Sequence, residues 1–253
     1  MSIWPNIWRH AQVKDGLSLA DMRAMLDDNG LVLTDVDGFR DWTPPPQIKP
    51  DRFGPIRGGP SRQECFDVCA ALGGTTIVVV HFSDPPIQFD RDIAAFAQLC
   101  DDAAAYGLRV ALEFVAFSDV SDAGTAWRIA EGAGRANGGL VVDLWHHVHG
   151  AGHGDDALLR RIPPERIFTV QYADGPRQPA HSLIEETMFH RAMPGKGRLD
   201  VLGFLRKLRA MGVHAPWGPE LYQQSFEHRP PIEVACELAA SARRLAAGLA
   251  LDA

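Results

Sequence analysis

The chain has 253 residues, 46% of them apolar, and a formal net charge of −7. That length suits one large α/β domain spanning residues 1–253 better than two small ones. The acidic balance argues against a nucleic-acid partner, which needs clustered Lys and Arg, and no segment is long enough and apolar enough to cross a membrane.

Near the start, Ser2–Trp4 reads as a short strand, Ser18 caps a helix running to Gly30, and a β-rich run from Leu31 (LVLTDV) follows, with Asp35 and Asp37 at its end. The next helix, Ser61–Leu72, places Cys65, Val68, Cys69 and Leu72 on one face; Gly73-Gly74 stops it before the strand Thr75–His81. A helix from about Arg91 repeats that spacing with Ile93, Phe96, Ala97 and Cys100, and Gly107 leads into the strand Leu108–Phe114. A helix around Gly124–Arg135 precedes Gly138-Gly139 and the strand Leu140–Asp143, and a shorter helical piece at Asp156–Arg161 precedes Ile167–Asp174. Last, Leu199–Met211 ends at Gly212 before the strand from Val213 (VHAPWGPEL).

Helix, glycine, then a β-branched run without polar alternation is what parallel strands covered by helices require. Repeated βαβ units leave a closed (β/α) barrel or an open doubly wound sheet, and the lack of a glycine-rich phosphate loop after an early strand favours the TIM barrel. The count gives seven strands rather than eight, as though the first β/α unit were absent. Two uncovered sheet edges would follow, and formation of a homodimer is one way to cover them. The four cysteines, Cys65, Cys69, Cys100 and Cys236, form no CxxC pair and read as inert core thiols. With no secretory leader visible, a reduced, cytoplasmic protein is expected.

Barrel strands alternate side chains between the interior and the helix layer. That phase turns Glu113, Asp143, Gln171 and Glu220 inward from four strands, each near the carboxyl end where barrel active sites lie. Converging buried carboxylates repel one another unless a cation sits among them, and three carboxylates plus an amide oxygen are hard ligands that suit Mn²⁺ or Mg²⁺.

ALEF with Glu113, VVDLWHH with Asp143 and His146, TVQYADG with Gln171, MPGKG at Met193–Gly197 and GPEL with Glu220 together resemble the sugar isomerase/epimerase branch of the xylose-isomerase-like barrels. The resemblance implies metal ligands at Glu113, Asp143, Gln171 and Glu220, a substrate-binding histidine at His146, and an arginine, Arg191, that holds a substrate oxygen or carboxylate. Sugar epimerases of this group usually have histidine where this chain has Gln171; glutamine there is more similar to dehydratases of cyclic substrates, such as 3-dehydroshikimate dehydratases.

The chemistry implied is metal-assisted proton abstraction next to a carbonyl through an enediolate, with Glu113 and Glu220 as the acid–base pair on a small-molecule substrate. Return of the proton makes an isomerase or epimerase of a sugar or polyol-derived ketone, the leading reading. Loss of a β-hydroxyl makes a dehydratase of a cyclic keto-acid, with His146 as the acid. His81, at a strand end, is expected at the same mouth, either on substrate or on a neighbouring loop. His147, His149 and His153 lie in a glycine-rich stretch (HHVHGAGHG) that reads as a loop over the site rather than a zinc site. A repair nuclease would want a zinc-binding histidine cluster and a basic groove, and neither is visible. A non-catalytic binding module is disfavoured by the retention of both Glu113 and Glu220.

Overall fold

The structure is a computed structural model that describes residues 1–39, 41–43, 60–82 and 86–250. Seven strands among these residues follow one another in chain order, and helices alternate with them. The chain divides into two compact units, one built mainly from residues 1–113 and 125–141 and the other mainly from residues 142–253.

In the first unit, β1 (Ser2–Ile3), β2 (Asp35–Phe39), β3 (Thr76–Val80), β4 (Arg109–Glu113) and the start of β5 (Gly138–Asp143) pair in parallel. The TIVVV run of β3 is buried throughout, as a strand covered on both faces must be. Strand β2 starts at Asp35, not at Leu31 as the β-rich run predicts; Val32 is 69% exposed and Leu31 48%. Val32 and Thr34 bond to the Met1 backbone, but ladder pairing begins only at Asp35. Helix α1 (Pro5–Lys14), which the glycine-punctuated pattern passes over, starts on Pro5 with its φ preset and buries Trp8 completely. Helices α2 (Leu19–Asp28) and α3 (Arg62–Ala71) begin with reciprocal capping boxes, Ser18 with Asp21 and Ser61 with Glu64. Helix α4 (Phe89–Ala104) sends Phe96, Leu99, Cys100 and Ala103 into the core, and α5 (Ala123–Ala133) follows β4.

The second unit carries α6 (Leu144–His149), α7 (Asp156–Leu159), β6 (Ile167–Tyr172), α8 (Leu183–Phe189), α9 (Val201–Ala210), β7 (Trp217–Pro219) and α10 (Pro231–Ala250). Strand β7 is three residues long and pairs in parallel with β6, Gln171 beside Gly218 and Tyr172 beside Pro219. Pro216 precedes it and Pro219 is its last residue, and a proline cannot donate to a ladder, which accounts for its brevity. Cys65, Cys69 and Cys100 are buried, and burial pushes the Cys65 and Cys69 thiols up to about 12. Cys236 departs from the expectation: it is exposed on α10.

Candidate active site

Three of the predicted inward residues stand at the carboxyl ends of their strands. Glu113 is the last residue of β4, Asp143 the last of β5, and Glu220 follows β7 directly; Gln171 is the penultimate residue of β6. Glu113 is buried, and the β4–β5 register sets it beside Val141, two residues before Asp143. Gln171 is buried on β6.

In the second unit, Asp143, His146, Arg191 and Glu220 converge. Asp143 is the N-cap of α6: its Oδ1 accepts from Trp145 N–H at 2.7 Å, and its Oδ2 lies 3.1 Å from Arg191 Nη1. The same Nη1 reaches Glu220 Oε2 at 2.9 Å and the Glu220 carbonyl at 3.1 Å. Arg191 Nε donates to Thr187 O, and the guanidinium lies over the Trp145 and Tyr222 rings at 5.6 and 5.3 Å. Arg191 is 1% exposed, so its charge is held by these partners rather than by water.

The backbone that carries Arg191 is held by Asp174. Asp174 pairs with Ala192 in an antiparallel bridge, and its carboxylate accepts from Gly175, Gly195 and Leu199 N–H at 2.8–2.9 Å. Gly175 is required by close approach: a β-carbon there would collide with the Trp145 ring beneath Arg191. Sequence reasoning found the MPGKG motif but not Asp174, the acid of its own YADG string; its burial is the signal that separates it from an ordinary turn aspartate.

Two carboxylates, Asp143 and Glu220, face one guanidinium. Burial pushes the Asp143 carboxyl up to about 7, against the pull of Arg191, with the Glu220 charge adding to the rise. Carboxylate oxygens of Asp143 and Glu220 and a ring nitrogen of His146 lie within 4.8 Å of one another. Two hard carboxylate oxygens, one buried and one part-buried, in a site short of positive charge fit a divalent cation.

The ring of His146 is oriented by the main chain. Ala116 N–H points at Nδ1 from 3.1 Å, so Nδ1 accepts and the ring proton lies on Nε2. Burial, with the Arg191 charge, holds its pKa well below the usual histidine value, so the ring is neutral. Nε2 stands 3.2 Å from Arg191 Nη2.

The other histidines are placed elsewhere. His147 and His149 belong to helix α6, not to a loop over the site as expected, because Asp143 caps the segment and starts the turn. His147 is buried, with Nε2 3.3 Å from Asp156 and its ring against Phe204, and His149 packs on Trp145 at 4.1 Å. In the first unit His81 is fully buried; its Nε2 lies 3.2 Å from Asp92 Oδ2 and its ring meets Trp42 edge-on at 5.6 Å.

Parallel strands in chain order, alternating with helices and carrying acids at their carboxyl ends, define a (β/α) barrel. Comparison with known proteins makes this specific: the family model for the xylose isomerase-like TIM barrel matches residues 3–245, and the chain belongs to that family. It is 30% identical to the 3-dehydroshikimate dehydratase of Pseudomonas aeruginosa over 217 residues, which is 83% of this chain and 32% of that protein. It is 32% identical to the inosose isomerase of Halalkalibacterium halodurans over 143 residues, 53% of this chain and 49% of that protein. The chain thus spans about a third of the dehydratase and about half of the isomerase. The crystal structure of the IOLI protein, which holds a bound zinc atom, superposes with a TM-score of 0.75 at 20% identity, over 96% of this chain and 86% of that one. Among the described residues, no helix is long and apolar enough to cross a membrane.

Proposed function

We propose that the chain is a divalent-metal-dependent enzyme that removes a proton next to the carbonyl of a cyclic polyhydroxylated ketone and dehydrates it. The single observation that carries this reading is the buried convergence of Asp143, Glu220 and His146 on Arg191. Glu113, Asp143, Gln171 and Glu220 are the proposed metal ligands, with Mn²⁺ or Mg²⁺ as the ion. Bound there, such a cation supplies Lewis-acid polarisation of a carbonyl oxygen.

The chain's own groups account for the rest of the chemistry. Glu220 and Glu113 are the proposed base and acid. Arg191 Nη2 and the Nε2–H of His146 form a two-donor cradle for a substrate oxygen as it gains negative charge. As a neutral Nε2–H tautomer, His146 is also suited to give its proton to a departing hydroxyl. Dehydration is supported by Gln171 and by the dehydratase likeness over 83% of the chain. Isomerisation or epimerisation of the same kind of ketone is the second reading, supported by the inosose isomerase likeness over a shorter stretch. His81, the other predicted substrate contact, is fully buried against Asp92 and Trp42 and is given no part in this reading.

The test is product analysis by mass spectrometry. Metal-stripped protein supplied with Mn²⁺ is incubated with 3-dehydroshikimate and, separately, with an inosose. Loss of water supports the dehydratase, and a new product of unchanged mass supports the isomerase. EDTA is expected to abolish turnover and Mn²⁺ to restore it; full turnover after thorough chelation contradicts the metal.

A further inference from the structure

Away from the acid cluster, α8 is bracketed by two histidines that face one carboxylate. His181 Nδ1 and His190 Nε2 each lie 4.0 Å from the same oxygen, Glu185 Oε1, and the two rings stack at 4.5 Å with an interplanar angle of 23°. A separation of 4.0 Å is too long for a hydrogen bond, so hydrogen bonding does not explain the convergence. The three donor atoms lie within 4.8 Å of one another. Tetrahedral zinc, with bonds of about 2.0–2.1 Å, holds its donor atoms roughly 3.3 Å apart, so each His–Glu pair has to close by less than about 1 Å.

The backbone that presents these side chains is fixed from within. The buried carboxylate of Glu186 accepts from Ala180 N–H at 2.7 Å and His181 N–H at 3.1 Å, which holds the turn entering α8. Ser182 caps the helix, with its side chain accepting from Glu185 N–H. At the other end His190 N–H donates to Glu186 O, and His190 forms an antiparallel bridge with Gln223. The three side chains are roughly a third to a half exposed, so an ion can enter from solvent and find a further position open to water.

The geometry points to a second metal site, formed by His181, Glu185 and His190, that takes Zn²⁺. Two imidazoles and one carboxylate select a borderline cation over Mg²⁺ or Ca²⁺, which prefer all-oxygen sets. This donor set differs from the carboxylate-rich set at Arg191, and the two sites are separable by mutation. His190 immediately precedes Arg191, so an ion here braces the segment that delivers the guanidinium to the acid cluster.

The experiment is equilibrium dialysis of full-length, chelator-stripped protein without a polyhistidine tag against Zn²⁺, with bound metal counted by elemental analysis and folding checked by circular dichroism. Three proteins are compared: the unaltered chain, the double variant His181→Ala with His190→Ala, and the double variant Asp143→Asn with Glu220→Gln. Two equivalents on the unaltered chain and one on each double variant is the expected result. One equivalent on the unaltered chain, lost in the histidine variant and kept in the acid variant, also supports the inference, and the metal of the proposed enzymatic reading is then decided by the EDTA and Mn²⁺ turnover test. Equal zinc on the unaltered chain and a folded histidine variant overturns it, as does zinc on none of them.

Discussion

Asp92 and Asp143 are both fully buried, yet their surroundings drive them in opposite directions. In the first unit, Asp92 meets Arg91 at 2.6 and 3.0 Å, Gln88 N–H at 2.9 Å and His81 Nε2 at 3.2 Å. Burial alone pushes its carboxyl up, but these partners outweigh burial and its pKa falls below the ordinary value. In the second unit, Asp143 shares Arg191 with Glu220, and its pKa rises to about 7. A carboxylate given more than enough donors anchors a structure. One left short of positive charge is set up to take a cation or a proton, and such perturbed acids mark functional sites.

The strongest way to break this comparison is to remove the shared guanidinium. Arg191→Met leaves a buried carboxylate, Asp143, facing the part-buried one of Glu220, with stability expected to fall by about 3–5 kcal/mol in metal-free protein. Turnover is expected to drop at least about a hundredfold, because the cradle opposite His146 loses its charged half. Thermal melts and steady-state kinetics check both. A variant as stable and as active as the parent would show that Arg191 holds neither the acids nor the substrate.

A smaller effect separates the two aspartates directly. Asp92→Asn replaces a charged acceptor that has four donor contacts, and is expected to cost about 1.5–3 kcal/mol of stability while folded protein keeps its turnover. Asp143→Asn is expected to do the reverse: little loss of stability at neutral pH without metal, and loss of metal binding and turnover. Chemical denaturation paired with Mn²⁺ titration distinguishes the two. Equal stability losses would mean that the two sites are the same kind of ion pair.

The same contrast explains what was legible in the sequence. Period and glycine punctuation located most helices and strands, because burial on both faces of a parallel sheet leaves unbroken apolar runs such as TIVVV. They passed over α1, α8 and α10, where proline starts, short length or an alanine-rich stretch carry no glycine stop, and they began β2 four residues early. Strand phase pointed to Asp143 and Glu220 because position at a strand end is a local property. It could not show that Asp174 organises the Arg191 loop, that Asp143 turns HHVH into a helix, or that Asp92 meets His81 eleven residues earlier. Those depend on which donors the fold brings to each carboxylate, and sequence spacing does not encode them.

The finest distinction is in the dependence on pH. Because Asp143 keeps a proton up to about pH 7, a cation must displace it, and Mn²⁺ affinity is expected to fall by up to about tenfold for each unit below that value. In metal-free protein the sign of the stability effect follows from the same shift. The native carboxyl has its pKa raised from 3.8, so it favours folding below that pH, and this contribution is lost as pH rises to about 7. Asp143→Asn should therefore gain stability relative to the unaltered chain between pH 5 and pH 8 in the presence of chelator, whereas Asp92→Asn, whose parent carboxyl has a lowered pKa, should show no such gain. Melting temperatures of the three proteins at those two pH values read it out. A flat difference between Asp143→Asn and its parent would mean that Asp143 is an ordinary ionised partner of Arg191, and the contrast between the two aspartates would disappear.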